Sequence, residues 1–467
     1  MSGISVNEDS THFYYTRPPE AMTSESVDAF IDDTYAGTDV REMMFNVNAH
    51  HVSYPSKVWP TLWEGYDPDR EDRTAFHSRF SGKAGDRGKK LEGLAHNLYL
   101  LEKRGVDPFA RWIDRCREHA ISPWISIRMN DLHHMQMPLA RRRELLEEAD
   151  PPTHRVTYRR CMTLQDGAPD YARPAVYEHF MALVREVAER YDMDGLEMDF
   201  TRHFWLLRPG RGIADRPVIT RFVRQTREIL DDQQQRRGHA IRLCAVVPPS
   251  ERTSRWLGMD AVHWADEGLV DYVVPSPRWA TIDFAMPIDE WKRWLDGTGA
   301  MLGGRLEPRV CPYPRYSIPE ELRQFGMLVN PEFVRGAAAT YLNQGADRTY
   351  LMNFFDDRKD LSGRLMLREC GLLDDVGSLE DLAGKPRRHM VTFQDALAPG
   401  EPAANALPLE PHADYEGDPY FGELRIDTGP RPAGGKATVV LGFAPEQPDP
   451  PADFEVYVNG CGALPLG

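Results

Sequence analysis

The chain has 467 residues, too long for one ordinary domain and right for a large barrel with an appendage. Hydrophobic content of 41% and charged content of 27% are ordinary for a globular protein and allow a large core. A net charge of −16 excludes a generally basic surface, so neither nucleic acid nor an anionic membrane is an expected partner.

In chain order, the first expected strand is His12–Thr16, followed by a helix over Thr23–Tyr35 with Thr and Ser at its start. Glu42–Asn48 reads as the second strand, and an insertion rich in Trp, Pro and Gly follows from about residue 50 to 90. The helix Phe109–Ala120 leads to a third strand at Trp124–Met129. The helix Val176–Tyr191 precedes the fourth strand, Gly195–Phe200, and the helix Val218–Gln234 precedes the fifth, Ile241–Val247. Asp271–Val274 and Pro308–Cys311 are the sixth and seventh. The helix Pro331–Gln344, stopped by Gly345, leads to the eighth at Thr349–Phe354.

Eight strands with intervening helices predict a (β/α)8 TIM barrel over residues 1–383. The alternative, a doubly wound sheet, usually carries a glycine-rich first turn, and no GxGxxG follows a strand here. From 384 to 467 helical periodicity stops. Short alternating runs at Phe421–Ile426, Ala437–Leu441 and Phe454–Val458 predict a small β-sandwich-like domain, short of strands. The six cysteines, Cys116, Cys161, Cys244, Cys311, Cys370 and Cys461, show no CxxC pair and read as free thiols of a reducing compartment. The polar N-terminus has no signal-peptide run and no long apolar span occurs, so a cytoplasmic location is expected. A chain whose export signal had been removed would look the same.

Strand parity picks out candidate functional residues. On the fourth strand Leu196, Met198 and Phe200 form an apolar set facing the helices, which turns Glu197 and Asp199 into the barrel. Asp199 is nearer the C-terminal end, where barrel active sites lie, and an idle buried charge there is expensive. On the third strand Ser126, Arg128 and Asn130 point inward by the same rule, so Arg128 is expected beside Glu197 as a supporting ion pair. Other strand ends supply Asn48, Asp131, His133, Arg202, His203, Arg278, Trp279, Tyr313 and Asn353 as ligand-binding candidates.

Cleavage of a glycosidic bond needs two carboxyl groups flanking it. Asp199 is the first candidate, and Glu251, just past the fifth strand, is the second, with a solvated loop glutamate as its bland alternative. Asp356 follows as a third carboxylate that would equally cap a helix. His50, His51, His133, His134 and Asp131 raise a metal reading, but there is no HExxH motif and adjacent histidines point apart, so no metal or other cofactor is expected. Arg17, Lys57, Arg128, Arg202, Arg278 and Arg315 all fall near strand ends. They suggest an anionic ligand, such as a sulfated or uronic sugar, unless they pair with local carboxylates. Trp59, Trp63, Trp205 and Trp279 are set to stack on sugar rings or to pack in the core.

The runs Tyr14-Tyr-Thr-Arg-Pro-Pro19, Tyr54-Pro-Ser-Lys57, Arg128-Met-Asn-Asp131, Asp194-Gly-Leu-Glu-Met-Asp-Phe-Thr-Arg-His203 and Val247-Pro-Pro-Ser-Glu251 resemble those of glycosyl-hydrolase-like barrel proteins. The pattern looks related to glycoside hydrolase family 168, the retaining endo-α-1,3-fucanases, over roughly residues 10–380. The resemblance implies a retaining hydrolase of α-linked, sulfated glycans, with Asp199 as nucleophile and Glu251 as acid/base. A non-catalytic carbohydrate-binding barrel and an inverting enzyme remain open beside it.

Overall fold

The structure, a computed structural model of Met1–Gly467, describes residues 2–9, 11–70, 86–131, 168–277, 281–311, 327–354, 370–394, 396–405, 422–431, 434–440, 456–459 and 461–464. Eight parallel strands close a barrel in chain order: β1 Ile4–Glu8, β2 Val40–Asn46, β3 Ser122–Arg128, β4 Gly195–Asp199, β5 Arg242–Val247, β6 Tyr272–Pro275, β7 Met301–Leu306 and β8 Arg348–Met352. β8 pairs with β1 to complete the ring.

Period-two alternation builds two cores. Outward side chains such as Ile4, Val6, Ile125, Ile127, Leu196 and Met198 pack beneath the helices in one large cluster. Inward side chains Met44, Trp124, Cys244, Val246, Tyr272, Val274, Tyr350 and Met352 form a separate cluster inside the barrel. Gly195 makes this possible, because a Cβ there would lie 2.2 Å from the Trp124 ring. Gly303 likewise leaves room for Tyr272, whose hydroxyl would be 2.5 Å from an added Cβ.

The helices obey ordinary start and stop chemistry. Asp107 caps the helix Pro108–Glu118 by accepting from Phe109 N and Ala110 N, with Pro108 at the first helical position. Gly238, at φ 80°, ends the 26-residue helix Gly212–Arg237.

Two expected strands are corrected. His12–Thr16 is a helical turn, and the first strand is Ile4–Glu8. The turn brings both Phe13 and Tyr14 against Trp112, at ring separations of 5.4 and 6.2 Å, whereas a strand would have pointed them to opposite faces. The seventh strand is Met301–Leu306 and not Pro308–Cys311. In the latter run Arg309–Val310 pairs antiparallel with Met327–Leu328, outside the barrel.

By contact density the chain divides into Met1–Arg431 and Pro432–Gly467, whereas the expected boundary stood at residue 384. Residues after 384 are tied to the barrel unit: Arg388 N donates to Glu332 O, and Thr340 Oγ1 to Asp427 O. The described residues of the expected strands at 422–426 and 437–440 are not strands. In the second unit, described strand pairing is the hairpin Val456–Val458 with Cys461–Leu464.

Candidate active site

The upper, C-terminal half of the barrel interior is charged. Asp199 ends β4 and is fully buried. Its Oδ1 accepts from Thr201 N at 2.9 Å and Thr201 Oγ1 at 2.8 Å. Arg305 Nη1, from β7, lies 3.3 Å from each carboxylate oxygen and donates to Thr201 Oγ1 at 2.8 Å. Burial opposes the charge on Asp199. Arg305, the two Thr201 bonds and Arg128 outweigh it and hold the carboxyl below its usual range. Oδ2 is the less engaged oxygen: among the described residues it accepts from Arg305 Nη1 alone, at 3.3 Å.

The other guanidinium nitrogen of Arg305, Nη2, reaches Glu307 Oε1 at 3.1 Å. Glu307 stands just beyond β7 and is 1% exposed, and neither carboxyl oxygen has a well-formed hydrogen bond among the described residues. Burial, with Asp199 adding to it, raises its carboxyl above the ordinary range despite Arg305 and Arg202. One guanidinium therefore bridges two buried carboxyl groups displaced in opposite directions.

Glu197 sits one layer deeper. Oε1 accepts from Asn7 Nδ2 and Ser126 Oγ, both at 2.7 Å, and Oε2 accepts from Tyr350 Oη at 2.5 Å. Burial, then the nearby Asp199 charge, pushes its carboxyl up to about 7. Arg128 does not pair with it. The barrel register sets Ser126 opposite Glu197 and Arg128 opposite Asp199. Arg128 instead bonds Asp9 at 2.7 Å and Asp131 at 3.0 Å. Arg202 lies 3.7 Å from Asp131, and His203 lies 4.0 Å from it.

The remaining candidates separate. Glu251 opens the short helix Glu251–Trp256, where burial raises its carboxyl, and the charges acting on it are Arg255, Asp260 and Glu401. Asn48 is spent on backbone: Nδ2 donates to Arg128 O, and Oδ1 accepts from Arg128 N. Lys57 is exposed, and its N–H donates to Glu186 on the helix Pro174–Arg190. Arg17 lies over the Phe13 ring. Trp59 stacks on His179 at 4.2 Å, Trp63 donates to Glu102, and Trp205 packs edge-on against Trp256, which favours packing roles for all three. Asn353 follows β8 with φ 57°, a left-handed conformation uncommon outside glycine, and its Oδ1 is buried without a hydrogen-bond partner among the described residues. His133, Arg278, Trp279, Tyr313, Arg315 and Asp356 lie outside the described residues. Among the described residues no three His, Cys, Asp or Glu side chains converge as a metal site.

Sequence reasoning missed Arg305 and Glu307. Their signal was present: Leu302 and Leu306 alternate with Arg305 and Glu307, but two glycines and a following proline obscured the strand.

No protein-family model and no curated protein matches the chain. Among solved structures it is similar to an α-L-fucosidase from Paenibacillus thiaminolyticus, at 13% identity and a TM-score of 0.46, over 80% of this chain and 48% of that one. The chain thus spans about half the length of that enzyme. It is also similar to an endo-β-1,4-mannanase from Thermotoga petrophila, at 11% identity and a TM-score of 0.43, over 85% of this chain and 80% of that one. A third is the PgaB (BpsB) glycoside hydrolase domain from Bordetella bronchiseptica, at 12% identity and a TM-score of 0.42, over 81% of this chain and 99% of that one. The barrel assignment rests on the chain's own closed strand order.

Proposed function

We propose that the chain is a glycoside hydrolase whose reacting carboxyl groups are Asp199 and Glu307. The observation that carries this reading is the opposite displacement of two buried carboxyls that share Arg305 at the C-terminal end of the barrel. Asp199, kept ionised, attacks the anomeric carbon through Oδ2. Glu307, whose raised carboxyl favours the protonated form, gives its proton to the glycosidic oxygen as the carbon–oxygen bond breaks. Glu307 then takes a proton from water, whose oxygen displaces Asp199. This is the retaining course that the sequence resemblance implies, and the α-linked glycan comes from the same resemblance. Glu197 is too deep to meet substrate: its partners Asn7, Ser126 and Tyr350 are all buried in the barrel.

Glu251 is the competing acid/base. Hydrolysis of a panel of neutral and sulfated α-linked glycans by wild type, Asp199→Asn, Glu307→Gln and Glu251→Gln separates them. We expect Asp199→Asn to lose at least about a thousandfold, roughly 4 kcal/mol of transition-state stabilisation. Glu307→Gln should fail on natural linkages yet still cleave aryl glycosides, whose leaving groups need no proton. Full activity in Glu307→Gln with loss in Glu251→Gln would move the acid to Glu251. The burial of Asp199 favours a second reading, a barrel that binds sugar without cleaving it. A folded wild type that binds the panel and hydrolyses none of it would establish that reading instead.

A further inference from the structure

Asn130 stands in the turn that leaves β3 at the top of the barrel, between Arg128 and Asp131. Its side chain is 1% exposed, and neither Nδ2 nor Oδ1 has a hydrogen-bond partner among the described residues. A carboxamide offers two donors and an acceptor, and burying it unmatched is costly unless something else meets it. Asn353, half-buried at the end of β8, is a weaker case, with its Oδ1 alone unpartnered among the described residues.

Each cation named at the top of the barrel faces a carboxylate. Arg128 holds Asp9 and Asp131, Arg305 holds Asp199 and Glu307, and Arg202 stands beside Asp131. A sulfate placed among them would meet the negative charge of Asp9, Asp131 and Asp199. Hydroxyl groups carry no charge, and they both donate and accept, as a carboxamide requires.

We propose that Asn130 is a specificity-determining residue that grips hydroxyl groups of an unsulfated sugar ring. This rests on the reading of the barrel mouth as a glycoside site and names the class of ring bound there. It narrows the anionic substrate suggested by the arginine pattern: any sulfate on the glycan lies on a ring other than the one at Asn130.

The test measures binding without relying on turnover. Saturation-transfer NMR is run with methyl α-L-fucoside, methyl α-D-galactoside and methyl α-D-mannoside, and with methyl α-L-fucoside 3-O-sulfate, on wild type, Asn130→Leu and Asn130→Ser. Thermal midpoints are measured in parallel. The expected result is transfer to an unsulfated glycoside in the wild type and at least a tenfold weaker affinity in both variants. Asn130→Leu should also melt at or above the wild-type midpoint, because it removes an unmatched polar group. Asn130→Ser keeps the test open should leucine not be accommodated. Equal affinity in wild type and variants, with glycan hydrolysis by the wild type intact, overturns the role of Asn130 and leaves the hydrolase reading standing. A preference for the sulfated probe overturns the neutral-ring assignment. A midpoint well below wild type in both variants with unchanged affinity makes Asn130 structural. A folded wild type that takes up none of the probes and cleaves no glycan overturns both readings together.

Discussion

The two ends of the barrel interior treat their polar groups in opposite ways. At the lower end Glu42 receives Arg348 in a fork, Nε at 2.9 Å and Nη2 at 3.0 Å, and accepts from Ser5 Oγ at 2.9 Å. Ser5 Oγ also meets Tyr272 Oη at 3.1 Å, so that cluster is closed on itself. At the upper end Glu307, Asn130 and Asn353 keep buried oxygens without hydrogen-bond partners among the described residues. A fold that satisfies one end and leaves the other unmatched separates stability from function along its own axis, as barrels generally do. Glu197 lies between the two, hydrogen-bonded as at the bottom and pushed in pKa as at the top.

The comparison breaks most visibly at the lower end. Glu42→Ala leaves Arg348 buried without its carboxylate, so stability should fall by about 3–5 kcal/mol. Glycan binding by the surviving folded protein should be unchanged. Chemical denaturation and saturation-transfer NMR on the same sample check both halves. A variant that unfolds no more easily than wild type would mean the lower pair contributes little.

In the middle layer the effect depends on pH. Glu197 is raised from an ordinary 4.5 to about 7 by burial and then by Asp199. Between those two values the native state holds a proton that the unfolded chain has released, so stability falls as pH rises through this window. A displacement of that size corresponds to about 3 kcal/mol. Glu197→Gln copies the protonated form: its Oε1 can keep the bonds from Asn7 and Ser126, and its Nε2 can donate to Tyr350 Oη. It should be neutral at pH 4 and stabilise by about 3 kcal/mol at pH 8, read from denaturation midpoints across pH. A pH-independent difference from wild type would show that Glu197 titrates alike in the folded and unfolded chain.

The legible part of this architecture followed from alternation. Leu196 and Met198 against Glu197 and Asp199 placed the inward carboxylates, and the same rule placed Arg128 inside. Register was not legible, because which residue lies opposite which is set by how the whole barrel closes. A slip of two residues moved Arg128 from Glu197 to the level of Asp199. The first strand was missed because an aromatic run with strong strand propensity, Phe13-Tyr14-Tyr15, is recruited into a helical turn by Trp112. Glu307 was missed because its strand carries Gly303 and Gly304, whose value lies in the space they leave for Tyr272 and Tyr341. Single-residue propensity cannot register a contact made across the sheet.

Glu307 is where the smallest stability change should accompany a large functional one. Its raised carboxyl means that the ionised form is disfavoured by burial, with Arg305 offsetting part of that penalty. Glu307→Gln removes the ionisable group while keeping its shape, so stability near neutral pH should stay within about 1 kcal/mol of wild type. If Glu307 is the acid, the wild-type rate on natural glycans should fall as pH rises through the raised carboxyl's titration. It should also fall at low pH, as Asp199 takes up its proton below the usual carboxylate range. Glu307→Gln should remove the alkaline limb for aryl glycosides and leave the acidic limb in place. An alkaline limb that persists in Glu307→Gln and vanishes in Glu251→Gln would transfer the acid to the helix after β5. The upper end would then owe its unmatched oxygens to binding alone.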